Sequence, residues 1–156
     1  MKWSDFNLIF MKITKLGHCC LLIETKGKRL LTDPGCFTIE VHSSLENIDA
    51  ILFTHEHSDH YHLDSLQILL EKNPDAQVFA NSSVAELLVK ENISHTEILD
   101  GQTIDFFGIA LTGHGIHHAE IGAAPQTPAV TGLPIEVGGL KVIRLDSSSF
   151  GIHDAK

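Results

Sequence analysis

Residues 54–60 read Thr-His-Glu-His-Ser-Asp-His, so three histidines and two acidic residues fall within the six positions from His55 to His60. His55 and His57 sit two apart, and in an extended or gently turning segment two such side chains point the same way. Asp59 and His60 follow after a turn and aim at an adjacent point. The spacing suits one divalent ion on His55 and His57 and a second, close by, on Asp59 and His60. Imidazole with carboxylate is the ligand set of Zn²⁺, and Mn²⁺ or Fe²⁺ accept it too. The chemistry expected of one or two such ions is hydrolysis. They lower the pKa of bound water from ~15.7 toward ~7 and polarise a carbonyl or phosphoryl oxygen. Asp59 is then the candidate catalytic residue, orienting the water or passing its proton to the leaving group. A solvated loop that is merely rich in histidine is the plainer alternative, and so dense a ligand set argues against it.

A zinc site on His55 and His57 needs a third protein ligand if one position is to stay open for water. Residues 113–119, Gly-His-Gly-Ile-His-His-Ala, offer His114, His117 and His118 at the end of a strand, with glycines that permit close backbone approach. Two further residues stand near strand ends. Asp33, in Asp33-Pro34-Gly35, has the chemistry of a turn former. His18 follows Gly17 at the start of a strand, where a structural role is the ordinary reading. His42 precedes Ser43-Ser44-Leu45-Glu46, which looks like a capped helical turn, and is expected at the surface.

The elements that must position these groups follow from periodicity. Residues 48–53, Ile-Asp-Ala-Ile-Leu-Phe, read as a strand buried on both faces that delivers the chain to His55. Residues 12–15, 19–24 and 29–32 read as three short strands, the last two joined by a tight turn at Lys26-Gly27-Lys28. Leu63–Lys72 carries apolar residues at 63, 66, 69 and 70, a helical stripe with Asp64 near its start, stopped by Asn73-Pro74-Asp75. Gln77–Ala80 reads as a strand, and Asn81-Ser82-Ser83 caps a second helix with apolar positions 84, 87 and 88, ended near Asn92. Strand and helix alternate, so helices are expected on one face of a sheet. Residues 96–99, 103–107, Ile109–Thr112 and Leu140–Leu145 read as further strands. The last ends at Asp146, an ordinary turn or cap position.

With 156 residues, 43% hydrophobic and 20% charged, the chain has the length and composition of a single soluble domain. Eleven basic against twenty acidic residues give −9, which disfavours nucleic-acid phosphate as a partner. Three cysteines, two of them adjacent, indicate no disulfide framework and favour a cytoplasmic setting. Met1 to Phe10 hold a short apolar run interrupted by Asp5, without a signal-peptide cleavage site. No apolar run approaches the ~20 residues of a membrane span, so neither membrane nor nucleic acid is an expected partner.

His55-Glu56-His57-Ser58-Asp59-His60 resembles the HxHxDH motif of the metallo-β-lactamase superfamily. Residues 11–20 and Leu31-Thr32-Asp33-Pro34-Gly35 resemble the opening of its small Zn-dependent hydrolases, near the ascorbate-6-phosphate-lactonase-like branch. The likeness runs from about residue 11 to about residue 150, leaving 1–10 as an N-terminal extension to a domain over 11–156. It implies an α/β fold, an αββα sandwich with a mono- or dinuclear site at one sheet edge. It also implies that Asp33 hydrogen-bonds near the metal histidines and that His18 lines the pocket. His118 becomes the third ligand, standing before a small residue and a Pro-containing loop ahead of Thr131-Gly132. Asp146 would bridge two metals, although Leu145 stands where the family usually has Gly. The family draws its last ligand histidine from beyond this aspartate, which implies a domain incomplete at its C-terminus. Expected from the likeness is hydrolysis of an ester or lactone in a small-molecule substrate. The alternatives are a metal-binding fragment without catalysis, a subunit active only as a homo-oligomer, and a phosphodiesterase or nuclease.

Overall fold

The computed structural model describes residues 11–114 and, beyond them, the backbone of the strands over 135–137, 140–145 and 149–154. The chain opens with β1 (Met11–Gly17), β2 (Cys20–Thr25) and β3 (Lys28–Thr32), paired antiparallel in that order. Lys26 and Gly27 make the β2–β3 turn with φ of 49° and 72°, the two positive values that a type I′ hairpin requires. A 3-10 turn (Cys36–Thr38) and the short helix α1 (Ile39–His42) lead to β4 (Ala50–Phe53). From there β4, α2 (Leu63–Lys72), β5 (Gln77–Ala80), α3 (Ser82–Lys90) and β6 (Thr96–Glu97) alternate, and β3, β4, β5 and β6 lie parallel. The first sheet therefore has the order β1-β2-β3-β4-β5-β6. A second, antiparallel sheet contains β7 (Thr103–Phe106), β8 (Ile109–Thr112), β9 (Ile135–Val137), β10 (Leu140–Leu145) and β11 (Ser149–Asp154). β9 and β11 were not legible as strands in the sequence.

Strand alternation divides the first sheet's side chains between two cores. Leu21, Ile23, Leu30, Ala50, Leu52 and Phe79 face the second sheet and pack with Phe106, Ile109 and Leu111. Leu22, Leu31, Ile51, Phe53, Val78 and Ala80 face the other way, onto Leu66 and Leu69 of α2 and Val84 and Leu88 of α3. All four residues of β4 are completely buried, as expected of a strand covered on both faces. Asn81 caps α3 by accepting from Val84 N at 3.1 Å. No helix among the described residues is long and apolar enough to cross a membrane.

His42 corrects its expectation. The helical turn lies before Ser43 and Ser44 rather than after them, and His42, its last residue, is buried. Its Nδ1 shares a 3.0 Å hydrogen bond with Thr38 Oγ1, and its buried Nε2 finds no partner among the described residues. Burial, with the nearby His62 acting in the same direction, pushes the His42 pKa down from 6.5 to about 4. Between those values the unfolded chain takes up a proton that the folded chain refuses, so the stability contributed by neutral His42 is lost as pH falls through that window. Acidification from pH 7.5 to 4.5 is therefore expected to cost the wild type roughly 2 kcal/mol more than it costs His42→Asn. Urea melts at the two pH values check this, and equal losses in both proteins would refute it.

Candidate metal centre

Parallel pairing of β3 with β4 brings two strand ends, Thr32-Asp33 and Phe53-Thr54, to the same sheet edge. Ligand sites in α/β sheets form outside the carboxyl ends of the strands, and the histidine cluster begins one residue past Thr54. Asp33 is completely buried there. It has φ of 41°, a conformation that few residues other than Gly, Asn and Asp adopt, and its backbone N–H donates to Leu52 O at 2.9 Å. Its Oδ1 accepts from Thr54 N at 2.8 Å, and its Oδ2 accepts from Thr54 Oγ1 at 2.7 Å and from His60 Nδ1 at 2.9 Å. The turn aspartate is thus the hub of the site.

The hydrogen-bond network also assigns the tautomers. Thr54 Oγ1 gives its only proton to Asp33, so it can only accept from His55 Nδ1, 3.1 Å away. With Nδ1 protonated on both His55 and His60, each ring presents Nε2 as the atom for a metal, the usual carboxylate-oriented arrangement of ligand histidines. Both rings are buried, and their centroids lie 3.8 Å apart.

The described residues hold two groups of candidate ligands. His55, His57 and Asp59 bring their ligand atoms within 4.8 Å of one another, and His18, Cys19 and His60 form a second such group. Asp59 stands between them, its Oδ2 2.7 Å from His18 Nε2 and 3.5 Å from His60 Nε2. The partition differs from a pairing of Asp59 with His60 alone, because the turn after His57 carries Asp59 back toward both sets. That turn is closed by His60 N and Tyr61 N, which both donate to His57 O. His18, at φ 39°, comes into the pocket from the β1–β2 turn. His114 is exposed and belongs to neither group. The expectations for His117, His118 and Asp146 fall outside the described residues.

Cys19 went unrecognised as a site residue. It reads in sequence as the first residue of a strand, whereas β2 begins at Cys20 and Cys19 lies in the turn. Its place directly after His18 was the one available signal.

The electrostatics favour a cation. Burial opposes charge on His60, but the hydrogen bonds and charges of Asp33 and Cys19 outweigh it, and the His60 pKa is pushed up to about 9. For Asp59, burial acts to raise the pKa, yet the hydrogen bond from His18 and the proximity of His60 bring it below the usual carboxylate range. Imidazoles and an ionised carboxylate within reach of common points fit a divalent ion, which would take the place of the second proton on His60. Glu56 takes no part in either group, and its Oε2 accepts from Ser83 Oγ at 2.6 Å.

A two-sheet α/β fold with histidine and aspartate ligands gathered past a central strand defines a metal-binding class of protein. Residues 12–145 match the beta-lactamase superfamily domain, and the chain belongs to that family. It is 33% identical over 131 residues to Protein Rv0786c of Mycobacterium tuberculosis, a match covering 84% of this chain and 59% of that protein. A UPF0173 metal-dependent hydrolase of Anoxybacillus flavithermus is 32% identical over 129 residues, 80% of this chain and 56% of the relative. Among solved structures, the metallo hydrolase Igni18 of Ignicoccus hospitalis superposes with a TM-score of 0.65 at 20% identity, covering 85% of this chain and 58% of the other. The chain thus spans between half and three fifths of the length of these relatives.

Proposed function

We propose that this chain supplies the metal-binding residues of a metal-dependent hydrolase acting on an ester or lactone bond of a small organic substrate. One observation carries the reading: His55, His57 and Asp59 converge past β4, beside a His60 whose tautomer is set by buried Asp33. When bound, a divalent ion supplies the Lewis acidity that makes water a nucleophile near neutral pH and polarises the acyl oxygen. The chain's residues do the rest. His55 and His57 would hold the ion. Asp59, ionised at neutral pH and open to solvent on one side, takes the proton of the attacking water and hands it to the leaving oxygen. Phe37, 70% exposed and edge-on to the His18 ring with centroids 5.2 Å apart, supplies an apolar wall beside the site. The wall suits a neutral organic group, and the net charge of −9 disfavours a polyanion.

The test combines elemental analysis of the untagged protein with a panel of aryl esters, lactones, thioesters and phosphodiesters. Expected are at least one tightly held ion per chain and ester or lactone turnover abolished by chelation and restored by zinc. His57 is exposed, so His57→Ala is expected to leave the melting temperature of the metal-free protein unchanged while removing one equivalent of metal. Less than one ion per chain, or hydrolysis that survives chelation, would overturn the reading. Stoichiometric metal without turnover of any panel member would identify a metal-binding chain that does not catalyse.

A further inference from the structure

The hydrolytic reading leaves the β1–β2 turn unused, yet the fold delivers it to the metal centre. β2 runs antiparallel to β3 with Leu21 opposite Thr32, so the residues just before β2 lie beside Asp33, where β3 and β4 end. Thr32 Oγ1 fastens the turn, accepting from Leu21 N at 3.2 Å and donating to Cys19 O at 3.4 Å. His18 is held in a left-handed conformation with Nε2 on Asp59. The Cys19 thiol is half-buried and lies with ligand nitrogens of His18 and His60 in one group spanning at most 4.8 Å.

The three cysteines are not equivalent. Cys20 is completely buried among the apolar residues under α2 and α3, where it behaves as a small hydrophobe. Cys36 Sγ donates to Ser58 Oγ at 3.9 Å. Only Cys19 joins a group of metal-ligating side chains. The ligand-to-ligand edge of a tetrahedral site with bonds of ~2.0–2.1 Å is roughly 3.3 Å, and the two distances to Asp59 Oδ2, 3.5 Å from His60 Nε2 and 2.7 Å from His18 Nε2, fall on either side of it.

We propose that Cys19 is a thiolate ligand, acting with His60, His18 and Asp59 at a second metal position that prefers Zn²⁺ to Mg²⁺ or Mn²⁺. The proposal rests on the reading that residues 55–60 hold metal. Sulfur with imidazole selects borderline ions, whereas Mg²⁺ and Mn²⁺ favour oxygen. As the sulfur–metal bond forms, the thiol proton leaves to solvent, and no electron is transferred.

Cobalt(II) added to the metal-free protein provides the probe. Expected is a thiolate-to-cobalt charge-transfer band in the near ultraviolet, lost in Cys19→Ser and kept in Cys36→Ser. The visible bands of cobalt at His55, His57 and Asp59 should persist in all three proteins. X-ray absorption of the zinc-loaded wild type should require one sulfur at ~2.3 Å, a measurement that holds even if Cys19→Ser fails to fold. Visible bands without the near-ultraviolet band, or an all-nitrogen-and-oxygen zinc shell, would overturn the thiolate while leaving the metal centre standing. So would a band that survives in Cys19→Ser. Absence of any cobalt binding would overturn both.

Discussion

Replacement of Asp33 is expected to cost both stability and metal affinity, and two substitutions separate the causes. Asp33→Ala strips a buried carboxylate from Thr54 N, Thr54 Oγ1 and His60 Nδ1 at once. Removing one partner of a buried charged network costs about 3–5 kcal/mol, a large share of the 5–15 kcal/mol that stabilises a typical domain. Asp33→Asn keeps the shape and tolerates the positive φ, so its fold should survive. Its Oδ1 can still accept from Thr54 N, which leaves the amide N–H₂ facing Thr54 Oγ1 and His60 Nδ1. Nδ1 must then accept, the His60 proton moves to Nε2, and the atom turned toward Asp59 and Cys19 no longer has a lone pair for an ion. Loss of such an orienting partner typically costs 10–100-fold in metal affinity. Zinc competition against a chromophoric chelator reads this directly, and urea melts read the stability. Unchanged zinc affinity in Asp33→Asn would show that the aspartate does not set the tautomer.

Gly35→Ala is expected to be the second severe change, for a purely steric reason. Gly35 has φ of −82°, which any residue adopts. A Cβ there would sit 1.9 Å from Asp59 O, 2.0 Å from Asp59 C and 2.5 Å from His60 N. These are backbone atoms of the ligand loop, so no side chain can swing aside. The two loops must separate, breaking the 2.8 Å bond from Cys36 N to Ser58 O and displacing Asp59 and His60 together. Overpacking of this kind costs about 1–3 kcal/mol and sometimes more. Unrelieved backbone contact places Gly35→Ala at about 3 kcal/mol or above, with loss of tight metal binding. Gly27→Ala is the control. It has φ of 72° but nothing within 4 Å of its Cβ, so about 1 kcal/mol of left-handed strain and unaltered metal binding are expected. Thermal melts and metal content after dialysis check both variants. Equal effects from the two would mean that conformation, not proximity, makes Gly35 necessary.

These contacts explain why the site is built from segments far apart in the chain. Asp33 follows β3, Thr54 follows β4, and His18 and Cys19 precede β2. All of them meet because one antiparallel strand begins where two parallel strands finish. A rigid, doubly covered β4 fixes the start of the ligand loop, and Gly35 lets the neighbouring loop lie directly on its far end. Preorganisation of this sort keeps the candidate ligand nitrogens converged, which is what a short loop would need to hold an ion.

Much of this was readable from local pattern alone. The apolar run before His55 announced β4, the stripe over Leu63–Lys72 matches α2 in both bounds, and Asn81 caps α3 as its residue type suggested. The density of potential ligands at 55–60 marked the stretch that supplies most of the two candidate ligand groups. In each case the determining interactions lie within a few residues of one another, so sequence spacing is a sufficient guide. Folding alone decided the rest. It buried His42, which looked like a surface residue, and it turned Asp33 from a turn former into the anchor of His60, 27 residues away. It brought Cys19 to a histidine 41 positions later and divided the ligands into two sets. Those outcomes depend on strand order and register, through which residues remote in sequence become neighbours, and no periodicity within a single segment records that.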